Sequence, residues 1–265
     1  MKRIRRLGVF DSGLGGLTVL NEICKYNEGL EIVYFGDTAR VPYGSRSDET
    51  ILSYARQDVR FLMAQEVDAV VVACGTVSAI AIDRLQAEMD IPIFGVIPSA
   101  AKAAVESSRT KRIGLIGTAA TVRSGAYKRT ITQIEPRAEV VAEACPLLVP
   151  LIENGCKPDD ELAELACKRY LEAFGGGRVD TIVMGCTHYP FYRRTFERLA
   201  PGVSFIDIGE ALARELASLL PLAKGESTRV SYYVSDSDTG FGEIASRFLT
   251  VVEAKEVRPV NIEKY

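Results

Sequence analysis

One stretch of this chain occurs twice, and the repetition limits the fold more than any other feature. Val67-Asp68-Ala69-Val70-Val71-Val72-Ala73-Cys74-Gly75-Thr76 returns as Val179-Asp180-Thr181-Ile182-Val183-Met184-Gly185-Cys186-Thr187-His188. Each copy runs Val-Asp, a short, largely apolar run, one small residue, then Cys and a polar tail. Such a run fits a strand buried on both faces, as in the parallel sheet of an α/β fold. Ligands in these folds bind beyond the carboxyl ends of the strands. Each cysteine stands at that position, so two thiols from two similar units can face one site.

The rest of the chain echoes the duplication. Arg112-Ile113-Gly114-Leu115-Ile116-Gly117-Thr118 aligns with Arg6-Leu7-Gly8-Val9-Phe10-Asp11-Ser12 at an offset of 106, the cysteines repeat at 112, and Phe205 matches Phe94 at 111. A nearly constant offset of that size is too long for a solenoid repeat and suits a domain. The expectation is two similar α/β domains with mostly parallel sheets, related by internal duplication, with the active site in the cleft between them.

Strands are expected at Leu7–Phe10, Ile32–Phe35, Ile91–Val96 (an edge strand, given Pro92) and Glu139–Val141. Helices are expected from about Leu17, from Asp48, over 77–88 and over 158–173, with Gly175-Gly176-Gly177 ending the last. Residues 145–155 are expected to form a turn-rich loop. The glycine-rich turn Asp11-Ser12-Gly13-Leu14-Gly15-Gly16 lacks the Gly-Lys-Ser/Thr ending of a phosphate loop and the spacing of a dinucleotide fingerprint. It does offer backbone amides at a helix start, suited to a carboxylate. Asp11 and Ser12 either cap that helix or stand beside the anion site. The polar segment from Gly36 to Ser47 is either a solvated connector or a functional loop at a strand end.

Composition removes several function classes. With 265 residues, 47% of them apolar, the chain can bury a sizeable core. Its net charge of −3, with acids and bases interspersed, gives no reason to invoke nucleic acid. The start, Met1-Lys2-Arg3-Ile4-Arg5-Arg6, is basic, but the apolar run after it stops at Asp11, too short for a signal-peptide core. No stretch approaches a membrane span. The six cysteines contain no CxxC pair and read as reduced cytoplasmic thiols. One histidine and scattered thiols make no zinc pattern, so no metal is expected. No lysine context suggests a Schiff base.

Two thiols on opposite sides of one carbon can act as base and acid in turn. One removes a proton and the other returns a proton to the opposite face, which racemises an amino acid. The carbanion between the steps requires the substrate carboxylate to be held by amides and hydroxyls. The glycine-rich turn and the hydroxyls of Ser12, Thr76, Thr118, Thr121 and Thr187 are candidate donors. A single strand-end cysteine is more often a small core residue. A matched pair, with the only histidine two residues beyond one member, favours chemistry.

At these residues the chain resembles the glutamate racemases of the cofactor-independent aspartate/glutamate racemase family. The matching stretches are Phe10 to Gly16, Gly36-Asp37-Thr38, Pro42-Tyr43-Gly44, Ala73-Cys74 with Thr76, Gly117-Thr118 with Thr121, Cys145-Pro146, and Gly185-Cys186-Thr187-His188. The resemblance implies Cys74 and Cys186 as the two acid/base residues, with Asp11 assisting Cys74 and His188 assisting Cys186. It implies Glu153 and Asp37 as supporting acids. Substrate contacts would come from Asp11, Ser12, Tyr43, Gly44, Gly75, Thr76, Thr118, Thr121, Thr187 and His188. It implies a domain of residues 1–98 plus 208–265, completed by the returning tail, and a second of residues 99–207. It implies glutamate as substrate, D-glutamate supply for bacterial peptidoglycan, no cofactor and a homodimer. The family usually has Asn where this chain has Gly75, so glycine is expected to leave a gap beside the substrate head group that Gly75→Asn would fill. An aspartate or hydantoin racemase would share the paired cysteines, although the aspartate enzymes usually carry an acidic residue at the His188 position. A non-catalytic binding module on the same fold is the alternative from another class.

Overall fold

The Val-Asp pairs that open each repeat have the same structural task. The Asp68 carboxylate accepts the backbone N–H groups of Arg5 and Arg6, each at 3.0 Å. Asp180 accepts those of Arg109 (2.9 Å) and Thr110 (2.8 Å) and the Ser108 hydroxyl (2.6 Å). In both copies the aspartate secures the entry to the neighbouring strand, so the motif pairs two strands before either reaches the site. The computed structural model describes residues 4–175, 179–219, 227–237, 241–254 and 256–265.

The first repeat alternates strands and helices: β1 (Arg6–Asp11), α1 (Leu17–Tyr26), β2 (Glu31–Gly36), α2 (Asp48–Ala64), β3 (Ala69–Val72), α3 (Gly75–Ile80), α4 (Ile82–Glu88) and β4 (Ile93–Gly95). After α5 (Ile97–Ser107) the second follows with β5 (Arg112–Gly117), α6 (Ala119–Ser124), α7 (Ala126–Ile134), β6 (Glu139–Ala144), α8 (Leu148–Glu153), α9 (Glu161–Leu171), β7 (Thr181–Met184), α10 (Arg193–Leu199) and β8 (Ser204–Asp207). The tail adds α11 (Ile208–Leu219), β9 (Arg229–Val234), α12 (Phe241–Phe248) and β10 (Val257–Pro259).

All strands pair in parallel. One sheet has the order β10-β9-β2-β1-β3-β4 and the other β6-β5-β7-β8. The order β2-β1-β3-β4 is thus repeated as β6-β5-β7-β8, and Leu7 opposite Ala69 matches Ile113 opposite Thr181. The chain reverses its direction of travel between β1 and β3 in one sheet and between β5 and β7 in the other, which opens a crevice at their carboxyl ends. Cys74 follows β3 and Cys186 follows β7, so each thiol stands at such a crevice.

β3 and β7 are wholly buried, as their apolar runs require. Alternate residues of the first sheet serve different layers: Leu7, Val9 and Val71 join a large cluster that also holds Ile113, Leu115 and Val183, while Phe10, Val70 and Val72 pack on the other face. One hydrophobic cluster therefore runs under both sheets. β4 ends its sheet order, in keeping with Pro92, but is shorter than residues 91–96.

Three local expectations need correction. The helix expected over 77–88 is two helices meeting at Ala81, whose φ of −113° breaks the first. The expected loop 145–155 contains α8, and Pro150 sits in its first turn, where a missing N–H costs nothing. The helix expected over 158–173 is shorter at both ends and closes with a 3-10 turn, Glu172–Phe174. Of the glycines expected to stop it, Gly176 and Gly177 lie outside the described residues, as do Met1, Lys2 and Arg3. No helix among the described residues is long and apolar enough to cross a membrane.

Candidate active site

The polar tails of the two repeats converge on one cavity of about 410 Å³. On one side the extended backbone of Cys74 turns directly into α3, and its Sγ lies 3.2 Å from Ser12 Oγ, the residue after β1. Cys74 is only 5% exposed. Burial, reinforced by the nearby Asp11 carboxylate, pushes its thiol up to about 12, against the pull of the Ser12 hydrogen bond. Asp11 accepts the Gly13 N–H at 2.9 Å and is itself raised by burial, against the attraction of His188. Cys74 is thus held as a protonated thiol beside a hydroxyl and a carboxyl group.

The other side carries a different partner set. Cys186 Sγ lies 3.9 Å from His188 Nδ1, and His188 Nε2 lies 3.1 Å from Glu153 Oε1 at the end of α8. Burial alone would lower the histidine, but its hydrogen bonds to Cys186 and Glu153 outweigh this and raise it to about 10. A buried imidazolium therefore faces the second thiol, held by a carboxylate that reaches solvent.

Between the thiols, hydroxyls and a glycine turn line the cavity. Thr76 and Thr118 meet across it with oxygens 3.0 Å apart, and Thr121 backs Thr118 at 2.9 Å. Thr118 also caps α6 by accepting the Thr121 N–H. Ser12, Tyr43, Gly44, Gly75, Thr76, Thr118, Thr187, His188 and Glu153 reach the wall together with both cysteines. Asp11, Asp37 and Thr121 stand behind it.

A sequence profile of the Asp/Glu/Hydantoin racemase family matches residues 19–216. The chain is 44% identical to a glutamate racemase of Geobacter metallireducens, covering 92% of this chain and 93% of that one. Its fold superposes on the crystal structure of a glutamate racemase from Francisella tularensis in complex with D-glutamate with a TM-score of 0.89, at 34% identity, covering 98% and 99% of the two chains. A Thermus thermophilus glutamate racemase in complex with β-chloro-D-alanine gives a TM-score of 0.88 at 40% identity, covering 98% of each chain. The chain belongs to the Asp/Glu/hydantoin racemase family. It is an amino-acid racemase, an isomerase.

Within this racemase, Asp37 occupies a place the sequence did not reveal. Its carboxylate accepts from Arg40 Nε at 2.7 Å, from Ser235 Oγ at 2.7 Å and from the Tyr43 hydroxyl. Arg40 also binds Asp58 at 2.9 Å, and burial holds Asp58 well above the usual carboxylate range. Asp37 thus lies behind Tyr43 and meets the cavity only through that ring. No local motif joins Arg40 to Gln57 and Asp58; the 3-10 turn Thr38–Arg40 brings the guanidinium to both side chains on α2.

Gly75 also needs a different account from the one expected. Its φ is not in the left-handed region. A β-carbon built there would overlap the carbonyl oxygen of Gly185 in the other repeat. Glycine is required by close backbone approach, so no gap awaits an asparagine, and the expected gain from Gly75→Asn does not follow from this structure. Cys145 lines the cavity but is buried, and burial pushes its thiol far up. Cys24 and Cys167 are likewise buried and raised to about 12, in keeping with packing roles. Among the described residues no group of three His, Cys, Asp or Glu side chains is placed to hold a metal ion.

Proposed function

We propose that this racemase interconverts L- and D-glutamate by two-base proton transfer between Cys186 and Cys74, supplying D-glutamate for peptidoglycan. The observation that carries the reading is two buried thiols at matched strand ends that line one cavity. The similarity to named glutamate racemases over nearly the whole chain supports the substrate.

In one direction Cys186, beside charged His188, takes the α-proton. The electron pair left on the α-carbon delocalises into the substrate carboxylate, held by the amides and hydroxyls of the glycine turn, Thr76, Thr118 and Thr187. Cys74, held protonated by burial and Asp11, delivers its proton to the opposite face. The product leaves Cys186 protonated and Cys74 as thiolate, stabilised by the Ser12 hydroxyl, which is the starting state for the reverse direction. Asp37 and Asp58 both accept from the Tyr43 hydroxyl, Arg40 holds the two carboxylates together, and Glu153 holds the His188 ring.

The domain division at about residues 98 and 207 is supported by the sheet memberships, because β9 and β10 join the sheet of β1 and β3. All six cysteines are free, which suits the cytoplasm. Leu162 and Leu165, exposed on α9, offer an apolar face for the proposed homodimer, which sedimentation would test. The activity is tested by following optical rotation on L-glutamate and L-aspartate, without pyridoxal phosphate and with EDTA. Racemisation of glutamate is expected. Activity on aspartate alone, or activity abolished by EDTA, would overturn the reading.

A further inference from the structure

The loop that carries Cys186 and His188 leaves the four-stranded sheet but is held from both sheets. Its own sheet secures it through the Gly185 N–H on Ile116 O at 2.8 Å and through the contact between His188 and Glu153. From the six-stranded side, Thr18 Oγ1 on α1 shares its single proton between the Thr187 carbonyl at 2.7 Å and the Gly15 carbonyl at 2.9 Å. The Thr187 hydroxyl in turn donates to Asp11 at 3.5 Å. Gly185 O rests where a side chain at Gly75 would begin, and Thr187 and His188 rest against Gly15 in the same way. The two ends of the loop are therefore seated on two positions that lack side chains, with one threonine hydroxyl between them.

We propose that the missing side chain at Gly75 and the hydroxyl of Thr18 form a dock that sets the gap between Cys74 and Cys186, so that both are positioning residues for proton transfer. The inference rests on the two-thiol reading. Gly75 directly follows Cys74, and Gly185 directly precedes Cys186, so their non-bonded backbone contact lies one residue from each thiol. A methyl group inserted there separates the walls. Thr18 prevents the loop from rotating away, because Thr187 lies between Cys186 and His188. A misplacement of about 1 Å in such a site costs about 100-fold in rate.

The signature of a shifted Cys186 is specific. A substrate enantiomer whose α-hydrogen faces Cys74 still loses it to that thiolate. If Cys186 is out of reach, Cys74 returns a solvent-derived proton to the same face. In deuterated water that enantiomer then gains deuterium without inverting. Cys186→Ser identifies which enantiomer this is.

The test measures racemisation and α-deuterium wash-in for both enantiomers in Thr18→Val, Thr18→Ser and Gly75→Ala, with thermal unfolding as a check on folding. Thr18→Val should slow racemisation by roughly three- to tenfold, the value of one hydrogen bond. It should also show wash-in exceeding inversion for the same enantiomer as Cys186→Ser. Thr18→Ser, which keeps the hydroxyl, should restore both rates. Gly75→Ala should behave like Thr18→Val with the larger, about 100-fold, loss. Wild-type wash-in ratios in Thr18→Val, or equal losses in Thr18→Val and Thr18→Ser, would overturn the dock; the Thr18 pair decides the question if Gly75→Ala does not fold. Wild-type product that retains substrate α-hydrogen would instead overturn the two-thiol reading itself.

Discussion

The two cysteine-bearing strand ends share a sequence pattern and a strand order, yet their surroundings differ in kind. Cys74 meets a hydroxyl at 3.2 Å and a buried carboxyl group, with no cation in contact. Cys186 meets an imidazole tied to a carboxylate. Duplication supplied two thiols in related positions, and divergence of the residues around them supplied different partners. The difference teaches that backbone symmetry places the two thiols while the residues that contact them differ.

The largest break in that comparison comes from removing either thiol. Cys74→Ser or Cys186→Ser should each lower racemisation of glutamate in both directions by about 10²–10⁴-fold, the usual worth of a positioned acid or base, as followed by circular dichroism. A smaller loss, about 10–100-fold, is expected when His188→Asn removes the cation from one side only. Ser12→Ala removes one hydrogen bond from the other side and should cost roughly three- to tenfold. Equal effects of His188→Asn and Ser12→Ala on the rate would erase the asymmetry described above.

The same contrast appears in stability. His188 is raised in the folded state from the ordinary 6.5 to about 10, so its stabilising contribution is complete below about pH 6.5 and is lost as pH rises through about 10. Urea unfolding at pH 6 and pH 10 should show a larger loss for the wild type than for His188→Asn. A weaker effect belongs to the repeat's aspartate. Burial by itself would raise Asp180, but hydrogen bonds from Ser108, Thr110 and Arg109 hold it down at about 2. Its contribution is present above about pH 3.8 and fades toward pH 2, so Asp180→Asn should flatten the acid limb of the unfolding curve slightly.

Much of this was legible in the sequence because it is local. The buried strands β3 and β7 announce themselves as short apolar runs between Val-Asp and a small residue, and the thiols follow them directly. The nearly constant offset of the echoes reports the repeated strand order. What stayed hidden depends on distant partners. β9 joins β2 across nearly the length of the chain, which no periodicity reveals. Helix α8 was masked by Pro146 and Pro150, which signal a loop although one of them sits harmlessly in a first turn. The reason for Gly75 is a carbonyl in the other repeat, so the residue looked like an omission when it is a contact. Asp37 enters as a supporting acid only through the family resemblance, and its partners Arg40, Tyr43 and Ser235 are joined by no motif in the sequence.

The central claim is that the two walls of the cavity carry separate bases. Racemisation of each pure enantiomer in deuterated water, stopped early and read by mass spectrometry, tests it directly. Thiol protons exchange with solvent, so the first product formed from either enantiomer should carry deuterium at the α-carbon while the remaining substrate stays protonated. Product that retains the substrate's own α-hydrogen would mean that one group serves both faces, and would contradict the account.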